Sequence, residues 1–291
     1  MKHKKSAAKK PYPFSQLQLG IDREIEPDRN LHLGGRSFYF FDLDDNILVL
    51  PTKMVLFHKE SHHEILISTT AFAHQQAFIG QRGLYRDYEI RFEDRTGSFR
   101  YFRDLPSESP FLQDLESALT REEFHWQGPS WNCFMHATLN QRPTALITAR
   151  GHEAETFKKG FAYLAEQDLL PYEPNWLAIY PVSNKGIQRI LTGEETTNLS
   201  PAQLKRRALR ASVEEAFSRF GKNPNHRFGI SDDDPKNIEN LLQELLLLKM
   251  EHPKNSFFLI ETHHGHFVKR EIHRDEVSKA KPLAHEQMSL F

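Results

Sequence analysis

The 291-residue chain contains a single cysteine, Cys133, so it cannot form a disulfide within itself. A lone cysteine is typical of proteins that stay in a reducing compartment, and we expect a cytoplasmic protein. No apolar run approaches the roughly 20 residues that a membrane-spanning helix needs. The basic start, MKHKKSAAKK, is not followed by an apolar segment, so we expect neither a secretion signal nor a membrane partner.

Net charge is also nearly absent, since the formal net charge is −1 at pH 7. This balance gives no global basic field that would attract nucleic acid, so any such contact has to be local. The chain lacks the phosphate-binding loop of the form GxxxxGKS or GxxxxGKT, which excludes a kinase unit of that type. Its 38% hydrophobic and 26% charged residues are ordinary for a globular protein.

The stretch SFYFFDLDDNIL, residues 37–48, is the most distinctive part of the sequence. A run of four aromatic residues ends there in three carboxylates, Asp42, Asp44 and Asp45. A run without alternation predicts a strand buried on both faces, and the strand should end at about Asp42. In open α/β sheets, ligands bind beyond the carboxyl ends of the strands. This stretch alone supports an acidic turn and a cation-holding site about equally.

After about residue 130, short apolar runs alternate with amphipathic runs. The apolar runs predict strands at 144–148, 176–182, 227–231 and 257–261. The amphipathic runs predict helices at 130–140, 153–167 and 185–191, a helix capped by Ser200 with Gln203, and a helix beginning at Pro235. This alternation predicts a parallel sheet with helices on both faces. The sheet would bring the ends of strands 37–42, 144–148 and 227–231 to one edge.

The sequence before residue 130 is less regular. Two apolar runs, 47–50 and 54–57, flank Pro51-Thr52-Lys53 and predict a hairpin. Weaker patterns predict strands at 64–68, 88–92 and 99–102, and a helix at 112–119. We therefore divide the chain into an N-terminal extension (1–30), an α/β core (31–57 and 130–269), an inserted α+β cap (58–129) and a flexible tail (270–291).

The residue types expected at the sheet edge are those that could together transfer a phosphoryl group. One carboxylate can attack phosphorus, and a second one two residues along can protonate the leaving oxygen and later activate water. A hydroxyl and a lysine can hold the oxygens of the phosphoryl group. A magnesium ion held by carboxylates can neutralise the remaining charge.

In these motifs the chain resembles phosphohydrolases of the haloacid dehalogenase superfamily. The matches, in the family's order along the chain, are Asp42-Leu43-Asp44, Thr148 in LITARG, Lys205 in SPAQLKRRAL, and Asp232-Asp233 in GISDDDPKNI. Lys185 and Lys222 are weaker matches for the lysine. The resemblance covers 37–50 and 130–262 and implies a Rossmann-like sheet with a cap between the first and second motifs. More loosely, the chain is similar to the phosphatase half of polynucleotide kinase-phosphatase enzymes.

The resemblance also implies roles for these residues. Asp42 would be the nucleophile and Asp44 the general acid and base, while Thr148 and Lys205 would bind the phosphoryl group. Magnesium would be held by Asp42, the backbone carbonyl of Asp44, and Asp232 or Asp233. Asp234 is more simply the cap of the next helix.

Three further positions stay open. Arg150 would either bind a substrate phosphate as a fork or be a surface arginine at a helix start. Asp45 and Asn46 depart from the family pattern, which commonly has Gly and then Thr or Val there. Neither departure removes a reacting group, so we expect an active site, with a substrate preference that these positions could shift.

The chain ends in Gln287-Met288-Ser289-Leu290-Phe291. QMSLF is similar to the pentapeptide by which bacterial polymerases and repair proteins bind the DNA sliding clamp. Leu290 and Phe291 would enter an apolar pocket while Gln287 anchors the backbone. A chance match, or a terminus that packs on its own core, is the alternative.

The leading hypothesis is a magnesium-dependent phosphatase that acts on phosphorylated substrates, with DNA ends as the substrate that the tail suggests. A small-metabolite phosphatase and a non-catalytic adaptor that docks to the clamp are the alternatives. The aromatic residues of the insertion either stack on bases or pack in the lid; they are Phe92, Tyr101, Trp126 and Trp131. The paired histidines fit solvated loops better than a transition-metal site; they are His62, His63, His263, His264 and His266.

Overall fold

A computed structural model describes residues 25–121, 125–194, 198–262 and 267–273 of the chain. The strands are β1 (Ser37–Phe41), β2 (Lys53–His58), β3 (Glu64–Ser68), β4 (Tyr88–Glu89), β5 (Thr144–Thr148), β6 (Trp176–Pro181), β7 (Arg227–Asp232), β8 (Ser256–Glu261) and β9 (Val268–Glu271). The helices are α1 (Thr69–Gln75), α2 (Pro110–Thr120), α3 (Trp131–Leu139), α4 (Ala154–Glu166), α5 (Lys185–Thr192), α6 (Pro201–Phe220) and α7 (Pro235–Glu251).

The main sheet has six strands in the order β6-β5-β1-β7-β8-β9. The first five are parallel to one another, and β9 pairs antiparallel with β8. This confirms the predicted class, a mixed α/β fold with a mostly parallel sheet flanked by helices, and it is compatible with a Rossmann-like fold. Because β1 lies between β5 and β7, the carboxyl ends of these three strands meet at one edge.

Helices cover the main sheet on both faces. One core cluster joins Phe38 and Phe40 of β1 to buried residues of α6 and α7, and the other joins Phe41 to residues of α3 and α4. The aromatic residues of β1 thus supply both layers, as expected for a run without polar alternation. The capping box predicted at Ser200 and Gln203 is present and fixes the start of α6.

A second, three-stranded antiparallel sheet has the order β3-β2-β4. The hairpin predicted between 47–50 and 54–57 is wrong, because β2 pairs with β3 and β4 instead. Residues 47 and 48 turn back tightly, since the N–H groups of Ile47 and Leu48 both donate to Leu43 O, at 3.0 and 2.9 Å. Their side chains are buried against the core cluster of α3 and α4, so these apolar residues are core, not strand.

Two weak strand predictions are also corrected. The strand expected at 88–92 is reduced to Tyr88–Glu89, and the one at 99–102 is a 3-10 turn, Arg100–Phe102. The rings of Phe99 and Phe102 pack edge to face with centroids 6.2 Å apart. Apolar residues three positions apart suit a 3-10 turn, in which positions i and i+3 eclipse, and not a strand with period two.

Parts of the predicted insertion lie against the predicted core. The boundary drawn after residue 57 falls within β2, and Phe111 of α2 packs against Phe157 of α4 with ring centroids 4.9 Å apart. The N–H of Gly151, just after β5, donates to Phe102 O at 2.8 Å. The division into core and cap stays a prediction. Residues 1–24 of the predicted extension and 274–291 of the predicted tail lie outside the described residues.

Among the helices of the described ranges, none combines the length and the apolar character that crossing a membrane requires.

Candidate active site

The acidic residues predicted from the sequence meet at the carboxyl edge of the main sheet. In the β1–β7 pairing, Phe41 lies opposite Ser231, and the N–H of Asp42 donates to Ser231 O at 3.0 Å. Asp232, the last residue of β7, therefore lies beside Asp42. Thr148 ends β5 on the other side of β1 and is fully buried. The alternation of strands and helices along the chain brings these residues, which are distant in sequence, to one edge of the sheet.

Lys205 joins the two buried carboxylates. Its Nζ lies 2.8 Å from Asp42 Oδ1 and 2.8 Å from Asp232 Oδ2. Asp42 is 5% exposed, and Asp232 and Lys205 are each 1% exposed. Breaking such a buried ion pair by removing one partner leaves an uncompensated charge, which is strongly destabilising. The position of Lys205 one turn into α6 is fixed by the Ser200 cap.

The two weaker lysine candidates do not reach these acids. Lys185 Nζ pairs with Asp94 at 2.5 Å, and Lys222 is exposed at the end of α6. The structure therefore places Lys205, of the three lysines, beside Asp42. Its role in binding a phosphoryl group stays a prediction.

The cluster contains more negative than positive charge. Carboxylate oxygens of Asp42, Asp232 and Asp233 lie within 4.8 Å of one another. Burial, reinforced by Asp232 and Asp233 and opposed by Lys205, raises the pKa of Asp42 well above its ordinary value. Burial and the charge of Asp232 raise the pKa of Asp233 to about 7. For Lys205, burial acts to lower the pKa, but the charges of Asp232 and Asp42 prevail and raise it.

These shifts bear on the expected metal. One lysine does not offset three crowded carboxylates, so the cluster favours a proton or a further cation. All the donors are carboxylate oxygens, the ligands that a hard divalent cation such as Mg²⁺ takes. The residues present therefore fit the expected ion. Asp232 and Asp233 both belong to the cluster, whereas Asp234 accepts from the backbone N–H groups of Lys236 and Asn237 and caps α7.

Asp44 is held by Arg150 and not by the lysine. Arg150 Nε donates to Asp44 Oδ2 at 2.9 Å, and Nη2 donates to Oδ1 at 2.6 Å. Nη2 also donates to Thr52 Oγ1 at 2.7 Å, and that hydroxyl donates to Asp114 Oδ2 at 2.6 Å. The Arg150 guanidinium carbon lies 4.9 Å from the ring centroid of Phe102. The fork thus fixes the orientation of the Asp44 carboxylate.

The burial of Arg150 excludes one of the two roles considered for it. The surface alternative is wrong, because Arg150 is fully buried. The substrate contact stays a prediction, and the fork is already occupied by Asp44. Sequence reasoning identified neither Thr52 nor Asp114, and no local pattern marks them, since Arg150 lies 98 residues from Thr52.

The two departures from the family pattern have structural explanations. Asp45 has a φ of +53°, a left-handed conformation in which Gly is most easily accommodated and Asp is tolerated. Asn46 is fully buried, donates to Thr262 Oγ1 at 2.8 Å and accepts from Ser231 Oγ at 2.8 Å. It ties the loop after Asp42 to the ends of β7 and β8. Asn46 therefore has a structural role: its two hydrogen bonds hold the loop after Asp42 in place.

Phe92 is the exposed member of the four aromatic residues considered for base stacking. Trp131 is 3% exposed and packs edge to face with Trp126, with centroids 4.7 Å apart. Tyr101 is half-buried beneath the Arg100 guanidinium. Phe92 is 78% exposed and stacks on Phe99 with centroids 6.0 Å apart.

The remaining predicted residues fall into two groups. Among the described residues, the acidic cluster is the one group of three or more side chains spaced to hold a metal, and His62 and His63 do not join it. Gln287, Leu290 and Phe291, with His263, His264 and His266, lie outside the described residues.

Comparisons of this chain with protein-family models, with curated proteins and with solved structures found no match.

Proposed function

We propose that this protein is a magnesium-dependent phosphatase that hydrolyses phosphomonoesters through an aspartyl-phosphate on Asp42, in the manner of the haloacid dehalogenase superfamily. The observation that carries the proposal is the buried contact of Lys205 with Asp42 and Asp232, 2.8 Å to each, at the ends of neighbouring parallel strands. A buried lysine between two acids costs desolvation that a structural role alone does not require.

In the first step, a carboxylate oxygen of Asp42 attacks phosphorus and the ester oxygen leaves. Lys205 and the Thr148 hydroxyl hold the non-bridging phosphoryl oxygens, because both lie at the edge from which Asp42 projects. Proton transfer from Asp44 to the leaving oxygen completes the step.

In the second step, water attacks the phosphorus of the aspartyl-phosphate and Asp44 accepts its proton. Inorganic phosphate is released and Asp42 is regenerated. Arg150 is a positioning residue in both steps, because its bidentate contact holds the Asp44 carboxylate in one orientation. Thr52 positions the guanidinium in turn.

Asp42, Asp232 and Asp233, together with the backbone carbonyl of Asp44, would hold Mg²⁺. When bound, the ion supplies positive charge that favours the ionised form of Asp42 and offsets the charge of the phosphoryl group.

Phosphorylated nucleic-acid termini are the substrate class that we propose, with the sliding clamp as a partner through residues 287–291 and the cytoplasm as the location. Phe92 supports this choice, because an aromatic ring that is 78% exposed can stack on an unpaired base. The loop that carries it is tied to the core by an ion pair of Asp94 with Lys185.

Hydrolysis of an aryl phosphate with and without Mg²⁺ tests the reaction. We expect activity in the wild type, none in Asp42→Asn, and wild-type activity in Asp234→Asn, a matched change at the neighbouring helix cap. Absence of activity in the wild type with Mg²⁺, or equal activity in Asp42→Asn, contradicts the proposal. Trapping of radiolabelled phosphate on the wild-type chain and not on Asp42→Asn identifies the covalent step.

Release of phosphate from a 3′-phosphorylated oligonucleotide, compared with a panel of sugar phosphates, tests the substrate class. Preference for the oligonucleotide supports nucleic-acid termini. Preference for a sugar phosphate supports the small-metabolite alternative and leaves the reaction intact.

A further inference from the structure

The main sheet has a groove on the face opposite α6 and α7. Helices α3 and α4 cover this face over β1, β5 and β6, and the groove of about 250 Å³ lies beyond α3, over β7 and β8. Gly229 and Phe258 form its floor, with Tyr39 and the α3 residue Cys133 on one side and Lys269 of β9 on the other. No residue of the candidate active site lines it.

The charges of the groove are of one sign. The Arg227 guanidinium carbon lies 4.7 Å from the Phe258 ring centroid, and Lys269 Nζ lies 4.4 Å from it. No carboxylate is among the described residues that line the groove. Burial raises the pKa of Tyr39 to about 12 and that of Cys133 to about 11, so both are neutral at pH 7. Two cations thus flank an aromatic floor, and among the described residues Glu271, which lies opposite Phe258 in the β8–β9 pairing, is an acid of this face that does not line the groove.

Gly229 gives the groove its depth. It lies in the middle of β7, and a Cβ placed there would meet only the Cβ of Phe258, at 3.9 Å. A side chain at this position would therefore project into open space. The volume of about 250 Å³ suits a small organic molecule.

We propose that this groove binds a small organic anion, a compact apolar body that carries one carboxylate or phosphoryl group. The apolar body would lie over Gly229 and against Tyr39, beside the Phe258 ring that Arg227 and Lys269 contact. The acidic group would lie between Arg227 and Lys269 and take charge-assisted hydrogen bonds from both. This site is independent of the proposed phosphatase reaction.

Calorimetric titration of the full chain with three ligands of one shape tests the proposal. The ligands are 1-naphthoate, 1-naphthylmethylphosphonate and the neutral 1-naphthalenemethanol. We expect one acid to bind in a 1:1 ratio, at least about tenfold more tightly than the alcohol. The carboxylate and phosphonate arms identify which acidic group the groove takes. Failure of both acids to bind, or equal affinity for the alcohol, overturns the proposal.

Variants of groove residues test whether the ligand binds in the groove. Gly229→Met should fill the groove and abolish binding, and Arg227→Gln should weaken it about tenfold. Lys254→Gln removes an exposed lysine elsewhere and should leave the affinity unchanged. If Gly229→Met does not fold, as judged by circular dichroism, the pair Arg227→Gln and Lys269→Gln decides instead. Wild-type affinity in the folded groove variants overturns the proposal, as does a dimer, seen by sedimentation, that the groove variants dissociate.

Discussion

Replacing Asp233 by Asn should make the metal-free protein more stable at neutral and alkaline pH. Asp233 lies with Asp42 and Asp232 in a cluster that holds one lysine. Burial and the charge of Asp232 raise the pKa of Asp233 to about 7, which means that its ionised form is unfavourable in the folded protein. An amide of nearly the same shape removes this charge without leaving a cavity.

The magnitude follows from the displaced pKa. Moving a carboxyl pKa from 3.8 to about 7 corresponds to about 4 kcal/mol. Asp42 and Asp232 contribute to the same excess of negative charge as Asp233. We therefore expect Asp233→Asn to recover about half of this free energy, ~2 kcal/mol of stability at pH 8. For a chain of 291 residues, that raises the melting temperature by about 3 °C.

The sign of the pH dependence is fixed by the direction of the shift. Asp233 has a higher pKa in the folded than in the unfolded protein, so between about pH 4 and pH 7 the folded state binds more protons. Its contribution to stability therefore falls as pH rises through this range and is least favourable above pH 7. The gain from Asp233→Asn should be largest at pH 8 and should be smaller at pH 5.

Thermal unfolding in EDTA at pH 5 and pH 8 measures both quantities. Asp234→Asn is the matched control, because Asn caps a helix about as well as Asp and its melting temperature should change little. Addition of Mg²⁺ should stabilise the wild type more than Asp233→Asn, because the variant has lost one carboxylate of the proposed metal site. A variant that is no more stable than the wild type at pH 8, or equally stabilised at pH 5, refutes the charge-excess argument.

Three further outcomes are expected. Arg150→Lys keeps the positive charge but loses the bidentate contact with Asp44, so kcat should fall about tenfold or more while KM changes little. A rise in KM alone would instead favour contact of Arg150 with the substrate. Phe92→Ala should lower kcat/KM for a 3′-phosphorylated oligonucleotide about tenfold and leave an aryl phosphate unaffected, and equal losses on both would reject base stacking. Deletion of residues 287–291 should abolish binding to a bacterial sliding clamp in a pull-down with purified clamp, and unchanged binding would reject the tail motif.

The parts of the fold that could be predicted are those determined by local patterns. The aromatic run of β1 and the apolar run 145–147 of β5 are not interrupted by charged residues or by polar alternation, so each run alone predicted a strand buried on both faces. The Ser200 cap set the start of α6, and with it the position of Lys205. The alternation of strands and helices then sufficed to place Asp42, Thr148 and Asp232 at one edge.

The contacts that could not be predicted join residues far apart in sequence. Asn46 bonds Thr262 across 216 positions, and Arg150 bonds Asp44 across 106. Neither contact has a local signature, because an Asn in a turn and an Arg before a helix are both ordinary on a surface. The hairpin error has the same origin: Ile47, Leu48 and Leu50 are buried in the core cluster that includes residues of α3, and the sequence around them does not contain that information.

The two aspartates of the Asp-x-Asp motif are held by different cations, and this separation matters for the proposed reaction. Asp42 contacts Lys205, whereas Asp44 contacts Arg150. Two carboxylates sharing one cation would couple their protonation, so that ionising one would oppose ionising the other. With separate cations, proton transfer at Asp44 does not compete with Asp42 for Lys205, and the ionised form of Asp42 depends on Lys205 together with the cation that the acidic cluster would hold. Substitution of Lys205 should therefore impair formation of the aspartyl-phosphate, and substitution of Arg150 should impair proton transfer in both steps.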